Sequence, residues 1–277
     1  MIITQKALRQ FEHHLYLEEK ERGTISNYLT AVRQFAEWSG RHTITKEVVL
    51  EYKTYLSDKY TPGTVNNKLG PINLFLRFMG CENCCVKRIR IQRQMFYPQE
   101  RELLYEEYIR LVQAAKDSGD ERLALVIQTL CATGIRVSEL KFITVEAARQ
   151  THASVHNKGK SRMIIIPTEL AVRLLCYANA NQINSGVIFC GAYGKPLDRV
   201  TVWKQMNALC EAANVPAEKL HPHALRHLFA VTYYQQSHDP MSLADLLGHS
   251  SLDTTRIYTA TNSDVQRRQV EQLGLVL

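Results

Sequence analysis

The chain contains no apolar run approaching the roughly 20 residues that a membrane-crossing helix requires. Its opening residues, Met1-Ile2-Ile3-Thr4-Gln5-Lys6, lack the apolar core of a secretory signal. There is no Gly-x-x-x-x-Gly-Lys loop to cradle nucleotide phosphates, no internal repeat and no low-complexity stretch. The seven cysteines are scattered except for Cys81, Cys84 and Cys85, and no second Cys/His pair lies near them at zinc-ligand spacing. The thiols read as free and incidental, in a reduced cytoplasmic protein without a membrane partner. A membrane span, a disulfide-stapled secreted scaffold and nucleotide-driven work are the classes these absences exclude.

What is present is basic and well supplied with apolar residues. The 277 residues fit two domains of ordinary size, and the 45% apolar fraction suffices for packed cores. A formal net charge of +7 points to a polyanionic partner, nucleic acid first. The excess is uneven. Residues 1–99 hold 15 basic and 9 acidic side chains, and the remainder hold 19 and 18. A DNA-gripping N-terminal module on a nearly neutral C-terminal module has this distribution.

Residues 1–80 read as four helices. Leu8, Phe11 and Leu15 mark the first; Tyr28, Leu29, Val32 and Phe35 mark a second that starts at Thr24 or Ser26. Thr45 precedes a third, and Thr61-Pro62 opens a fourth with a hydroxyl N-cap and proline at the first helical position. Residues 81–101 read as an extended basic linker carrying Lys87, Arg88, Arg90 and Arg93 ahead of Tyr97-Pro98. Such a segment could follow a phosphate backbone or serve as a solvated hinge. Residues 102–277 read as mostly helical, with helices at 105–117, 119–132, 168–181, 198–213, 223–237, 241–248 and 263–273. Residues 152–157 and 162–166 look like two strands joined through Asn157-Lys158-Gly159-Lys160, which has hairpin turn chemistry.

Several residues in this second module could carry chemistry. His223-Ala224-Leu225-Arg226-His227 follows Pro222, which places His223, Arg226 and His227 in a first helical turn, where backbone N–H groups favour an anion. One His-x-x-Arg is about what chance supplies in a chain of this size, so the motif alone decides nothing. Thr133-Gly134-Ile135-Arg136-Val137-Ser138-Glu139-Leu140 puts a turn glycine before a helix start, with Arg136 and Glu139 on one face; an ordinary surface ion pair would look the same. Lys158 sits at a hairpin tip, where lysines are usually solvated. Leu247-Gly248-His249-Ser250-Ser251 exposes His249 past a helix end, and Tyr258 follows nine residues later.

Taken in order, these blocks resemble the tyrosine recombinase, or phage integrase, family across nearly all of 102–260. The N-terminal bundle is similar to that family's four-helix core-binding (SAM-like) domain in pattern rather than motif. The resemblance implies a mainly α protein whose mixed, mostly helical catalytic domain contains a small antiparallel sheet, in a simple Xer-like layout without a separate arm-binding domain. It also implies roles. Tyr258 is the nucleophile, Arg136 and Arg226 clamp the scissile phosphate, Lys158 is the general acid, and His223 and His249 line the site. Glu139 supports the pocket. Asn157 stands where the family often has glycine, and the spacing to Lys160 and Arg162 is one residue short, so either Lys158 or Lys160 reaches the leaving oxygen. Lys87, Arg88, Arg90 and Arg93, with Lys160 and Arg162 of the hairpin, are the expected DNA contacts.

The implied reaction is intelligible from these residue types. Attack on a phosphodiester builds charge on its nonbridging oxygens, which planar, permanently charged guanidinium groups can bind in bidentate fashion. A phenol with a pKa near 10 must shed its proton as it attacks, and histidine is a suitable acceptor. Neither metal nor nucleotide cofactor is implied. Exchange between two duplexes implies four subunits assembled on double-stranded DNA, with accessory DNA-bending or directionality proteins as possible partners, and the 263–273 helix would pack on a neighbour or on its own domain. Competing readings are a type IB topoisomerase-like strand transferase, a non-catalytic DNA-binding relative, and a metal hydrolase built on His221, His223 and His227.

Overall fold

The computed structural model describes residues 2–40, 43–91, 102–157, 160–191 and 194–248, with Thr255 and Glu271. The chain divides into two units, Met1–Arg93 and Gln94–Leu277. Lys158, His249, Tyr258 and Arg93 lie outside the described residues, as does the expected 263–273 helix apart from Glu271.

The first unit contains α1 (Gln5–Leu17), α2 (Arg22–Ser39), α3 (Lys46–Lys59) and α4 (Pro62–Phe78). Hydroxyl caps start two of them: the side chain of Thr4 accepts from the N–H of Ala7 at 3.2 Å, and that of Thr45 from Val48 at 3.5 Å. Helix α2 begins at Arg22, ahead of the expected Thr24 or Ser26. The apolar stripes meet around Phe11, Phe35 and Phe75, all fully buried, with Phe11 and Phe75 edge to face at 5.2 Å.

Much of the expected linker belongs to this unit. After a short 3-10 turn at Glu82–Cys84, residues 86–89 are strapped along α4 by two side-chain amides. Asn73 pairs with both backbone groups of Val86 (2.8 and 3.1 Å), and Asn66 does the same for Ile89 (2.9 and 2.8 Å). Gly70 lies between those asparagines, and a Cβ there would sit 2.9 Å from the Arg88 guanidinium, so the glycine lets Arg88 cross α4. Lys87, Arg88 and Arg90 remain exposed.

The second unit contains α5 (Tyr105–Asp117), α6 (Glu121–Thr133), a 3-10 turn (Val137–Phe142), α7 (Val145–Gln150), β1 (His152–Asn157), β2 (Lys160–Ile165), α8 (Thr168–Ala180), α9 (Arg199–Ala208), α10 (Pro222–Ser237) and α11 (Pro240–Leu247). Helix α6 is the hub. It buries Leu123, Leu125, Val126, Ile127 and Leu130 around nearly its whole circumference and touches α5, α8, α9 and α10. Its two buried threonines are satisfied inside the helix, Thr129 on the Leu125 carbonyl at 2.7 Å and Thr133 on the Thr129 carbonyl at 2.6 Å. The expected 198–213 helix is shorter and stops at Ala208.

Strands β1 and β2 pair antiparallel, with His152 opposite Ile165, Val155 opposite Arg162 and Asn157 opposite Lys160. Alternation sends Ala153, Val155 and Ile164 into the core, while Met163 and Ile165 are exposed on the other face. Arg162 stands on the inward face, a place that matters for the site.

Candidate active site

Helix α6 ends in a left-handed Gly134 (φ 62°). A Cβ there would fall 2.4 Å from the Phe229 ring of α10, so the glycine both turns the chain and lets α10 approach. The turn delivers Arg136 to the start of the 3-10 segment. There the Glu139 carboxylate bonds back to the Arg136 backbone N–H at 2.8 Å and pairs with its guanidinium at 3.2 Å. The Arg136 side chain is 36% exposed and therefore accessible to a ligand, whereas Glu139 is buried.

Arg226, on the first turns of α10, is only 3% exposed. Its guanidinium donates to the carbonyl of Gly134 at 2.6 Å and to that of Leu247 at 2.7 Å. It thus joins the end of α6, two residues before Arg136, to the last turn of α11. Two half-buried pairs hold the approach to α10: Lys219 with Glu107 at 2.9 Å, and His227 with Glu102 at 3.1 Å.

His223 lies one turn ahead of Arg226 on α10. Its ring keeps an exposed face, yet the surrounding protein partly desolvates it, and the charges of Arg199, Arg226, His221 and Arg136 add to that burial. Together they hold its pKa below the ordinary 6.5, which leaves the imidazole neutral near neutral pH and able to accept a proton. Burial, His227 and Arg199 lower His221 in the same direction. The bond from Arg226 to the Gly134 carbonyl, two residues before Arg136, brings the two arginines, far apart in sequence, to neighbouring segments. Arg199, exposed at the start of α9, adds a cation that the sequence reading missed, because an isolated arginine after Asp198 belongs to no motif.

Arg162 requires a correction. Expected as a DNA contact, it points inward from β2 with a side chain only 11% exposed. One terminal nitrogen pairs with Glu139 at 2.5 Å, and the other donates to the carbonyl of Leu246. The physical reason is register: opposite Val155, the position faces the core. Among the described residues, no three His, Cys, Asp or Glu side chains converge as metal ligands. The His221, His223 and His227 hydrolase reading therefore has no assembled cluster behind it, and His227 is engaged with Glu102.

The described part of the site is thus two arginines on one buried carboxylate, Arg136 and Arg162 on Glu139, with Arg226 bonded to the turn before Arg136 and His223 one turn ahead of Arg226. It is suited to binding a phosphate diester and to taking up a proton. The comparisons agree in kind. The model of the phage integrase family matches residues 101–264, more than half of the chain. Tyrosine recombinase XerA of Thermococcus kodakarensis is 27% identical over 281 residues, covering 98% of this chain and 96% of its own. Tyrosine recombinase XerD of Haemophilus ducreyi is 27% identical over 278 residues, with 91% of this chain and 92% of its own covered. The crystal structure of XerA recombinase aligns over 99% of this chain and 100% of its own, with a TM-score of 0.55 and 25% identity. A lambda integrase (75-356) dimer bound to a COC' core site aligns over 92% of this chain and 94% of its own, with a TM-score of 0.73 at 17% identity, and so shares the fold. The chain belongs to the phage integrase family of tyrosine recombinases.

Proposed function

We propose that this recombinase cleaves and rejoins DNA at specific sites through a covalent 3′-phosphotyrosine at Tyr258. The Tyr258 hydroxyl attacks a backbone phosphorus and loses its proton to a neutral histidine, His223 or His249. A P–O bond forms, and the bond to the 5′-oxygen breaks. Lys158, in the sequence between the paired Asn157 and Lys160, protonates the departing oxygen. The reverse reaction with another strand's 5′-hydroxyl restores the diester and frees the tyrosine, so no external energy source is consumed. Arg136 and Arg226 bind the nonbridging oxygens as charge grows on them. Glu139 holds Arg136 from behind.

The observation that carries this reading is the bond that ties Arg226 of α10 to the Gly134 turn delivering Arg136, within a chain of this family. Exchange requires two duplexes and hence four subunits. A lambda integrase tetramer bound to a Holliday junction shares this fold and supports that assembly here. Lys87, Arg88 and Arg90, exposed on the strap, suit contacts to DNA phosphates, and Arg93 and Lys160 are proposed with them. Among the described residues no helix is long and apolar enough to cross a membrane.

The test is a nicked suicide substrate built on the DNA segment that the protein protects in its own genomic neighbourhood. Wild-type protein forms a covalent adduct. Tyr258→Phe forms none while binding the same DNA with similar affinity. An adduct formed by Tyr258→Phe removes Tyr258 from the role.

A further inference from the structure

Arg162 is a charged side chain in the interior of the catalytic unit that the phosphate chemistry does not use. It joins three separate segments. It belongs to β2, whose first residue, Lys160, pairs with Asn157 and follows Lys158 by two positions in the sequence. Its guanidinium pairs with Glu139, which in turn holds Arg136. Its other terminal nitrogen donates to the carbonyl of Leu246, in the last turn of α11, beyond which come His249 and Tyr258.

Gly248 shows how closely the pieces fit. It takes a left-handed conformation (φ 64°), and a Cβ there would lie 2.5 Å from Cδ of Arg162 and 2.9 Å from its Nε. The aliphatic stem of Arg162 therefore occupies the space that only glycine leaves open at the end of α11. Arg226 donates to the neighbouring Leu247 carbonyl, so two guanidinium groups meet the negative end of one short helix.

Burying such a network is poor value as stabilisation, because desolvation consumes most of the attraction, but its directional bonds fix geometry. We infer that Arg162 is a positioning residue. It sets the hairpin bearing the general acid in one frame with Glu139, Arg136 and the last turn of α11. The inference rests on the assignment of Lys158 above. Neither a lysine nor an apolar side chain can replace it, since the task needs two donors held apart in a plane.

The experiment measures single-turnover cleavage of the suicide substrate with either oxygen or sulfur at the scissile 5′ position. A thiolate leaves without being protonated, so the sulfur substrate bypasses the general acid. Arg162→Met is expected to slow cleavage of the oxygen substrate by about 100-fold, the usual scale of general-acid catalysis. On sulfur it recovers most of that loss, as Lys158→Ala does, with DNA affinity unchanged. Combining the two substitutions slows the oxygen reaction no further than the slower single change. Arg162→Lys and Gly248→Ala, which leave a cation in place, show the same recovery and keep the reading testable should Arg162→Met not fold.

Wild-type cleavage rates in Arg162→Met, or equal losses on oxygen and sulfur in these variants, would overturn the positioning role. Failure of Lys158→Ala to recover on sulfur would instead strike the lysine assignment. Wild-type protein forming no adduct on either substrate would strike the recombinase reading itself.

Discussion

Glu139→Ala removes a carboxylate that is 2% exposed and lies between two guanidinium groups. The loss can be worked out from its three bonds. The pair with Arg136 is local, three residues apart, and its arginine side chain is 36% exposed, so solvent screens it and it contributes at most about 1 kcal/mol. The pair with Arg162 is different, because that side chain is only 11% exposed and loses its counter-charge inside the protein. Removing one partner of a buried pair costs about 3–5 kcal/mol, mostly the penalty of the stranded charge. The third bond, to the Arg136 backbone N–H, starts the 3-10 turn and adds a smaller amount. Together these come to about 3–6 kcal/mol, and at about 2–4 °C per kcal/mol for a domain of this size the catalytic unit should melt about 6–24 °C lower. Trp38 and Trp203 lie one in each unit. In a Trp38→Phe background, Trp203 fluorescence therefore reports the catalytic unit, and urea titration gives its stability. Glu139→Gln, which keeps an acceptor but no charge, should fall between. A Glu139→Ala protein within 0.5 kcal/mol of wild type, the range of ordinary surface substitutions, would refute the claim that this carboxylate neutralises a buried guanidinium.

Other consequences follow from the same geometry. Arg226→Lys keeps the charge but cannot span the Gly134 and Leu247 carbonyls, so cleavage should fall by roughly 100-fold or more in a single-turnover assay while DNA binding persists; near-normal cleavage would argue against planar recognition. Gly134→Ala combines a left-handed backbone with a clash against Phe229, about 2–4 kcal/mol by urea titration, and Phe229→Ala should relieve the steric part of it. His223, with its pKa held below 6.5, should give a kcat/KM profile whose acid limb lies below that pH and vanishes in His223→Gln; a limb above 6.5 would contradict the assignment. The sign for stability is the same: the unfolded chain takes up the proton first, so the fold weakens as pH falls below 6.5.

The long helices are legible because their apolar residues recur at helical spacing; Thr45 caps α3 as expected and Pro62 starts α4, but the Thr61 hydroxyl meets that of Thr64 at 3.2 Å and caps no backbone N–H. The hairpin was legible from alternation and its Asn-Lys-Gly-Lys turn. Helix α7 was not, since six residues make too few turns to display a period. Arg136 and Glu139 were expected on a helix. The chain forms a 3-10 turn there, with the Glu139 carboxylate closing on the Arg136 N–H and also pairing with Arg162 from a strand 23 residues away. The inward position of Arg162 could have been read from the alternation it shares with Ile164, but its charge drew the reading toward DNA. From sequence the strap at 86–89 looks like a linker because its partners, Asn66 and Asn73, stand on α4 as an ordinary polar stripe until the chain returns to meet them.

The central claim is covalent chemistry at one phenol. After trapping on the suicide substrate, nuclease and trypsin digestion followed by mass spectrometry locates the attached nucleotide. The account predicts it on the peptide Ile257–Arg267, whose single tyrosine is Tyr258. A nucleotide carried by any other peptide, or cleavage of the substrate without an attached nucleotide, would contradict it.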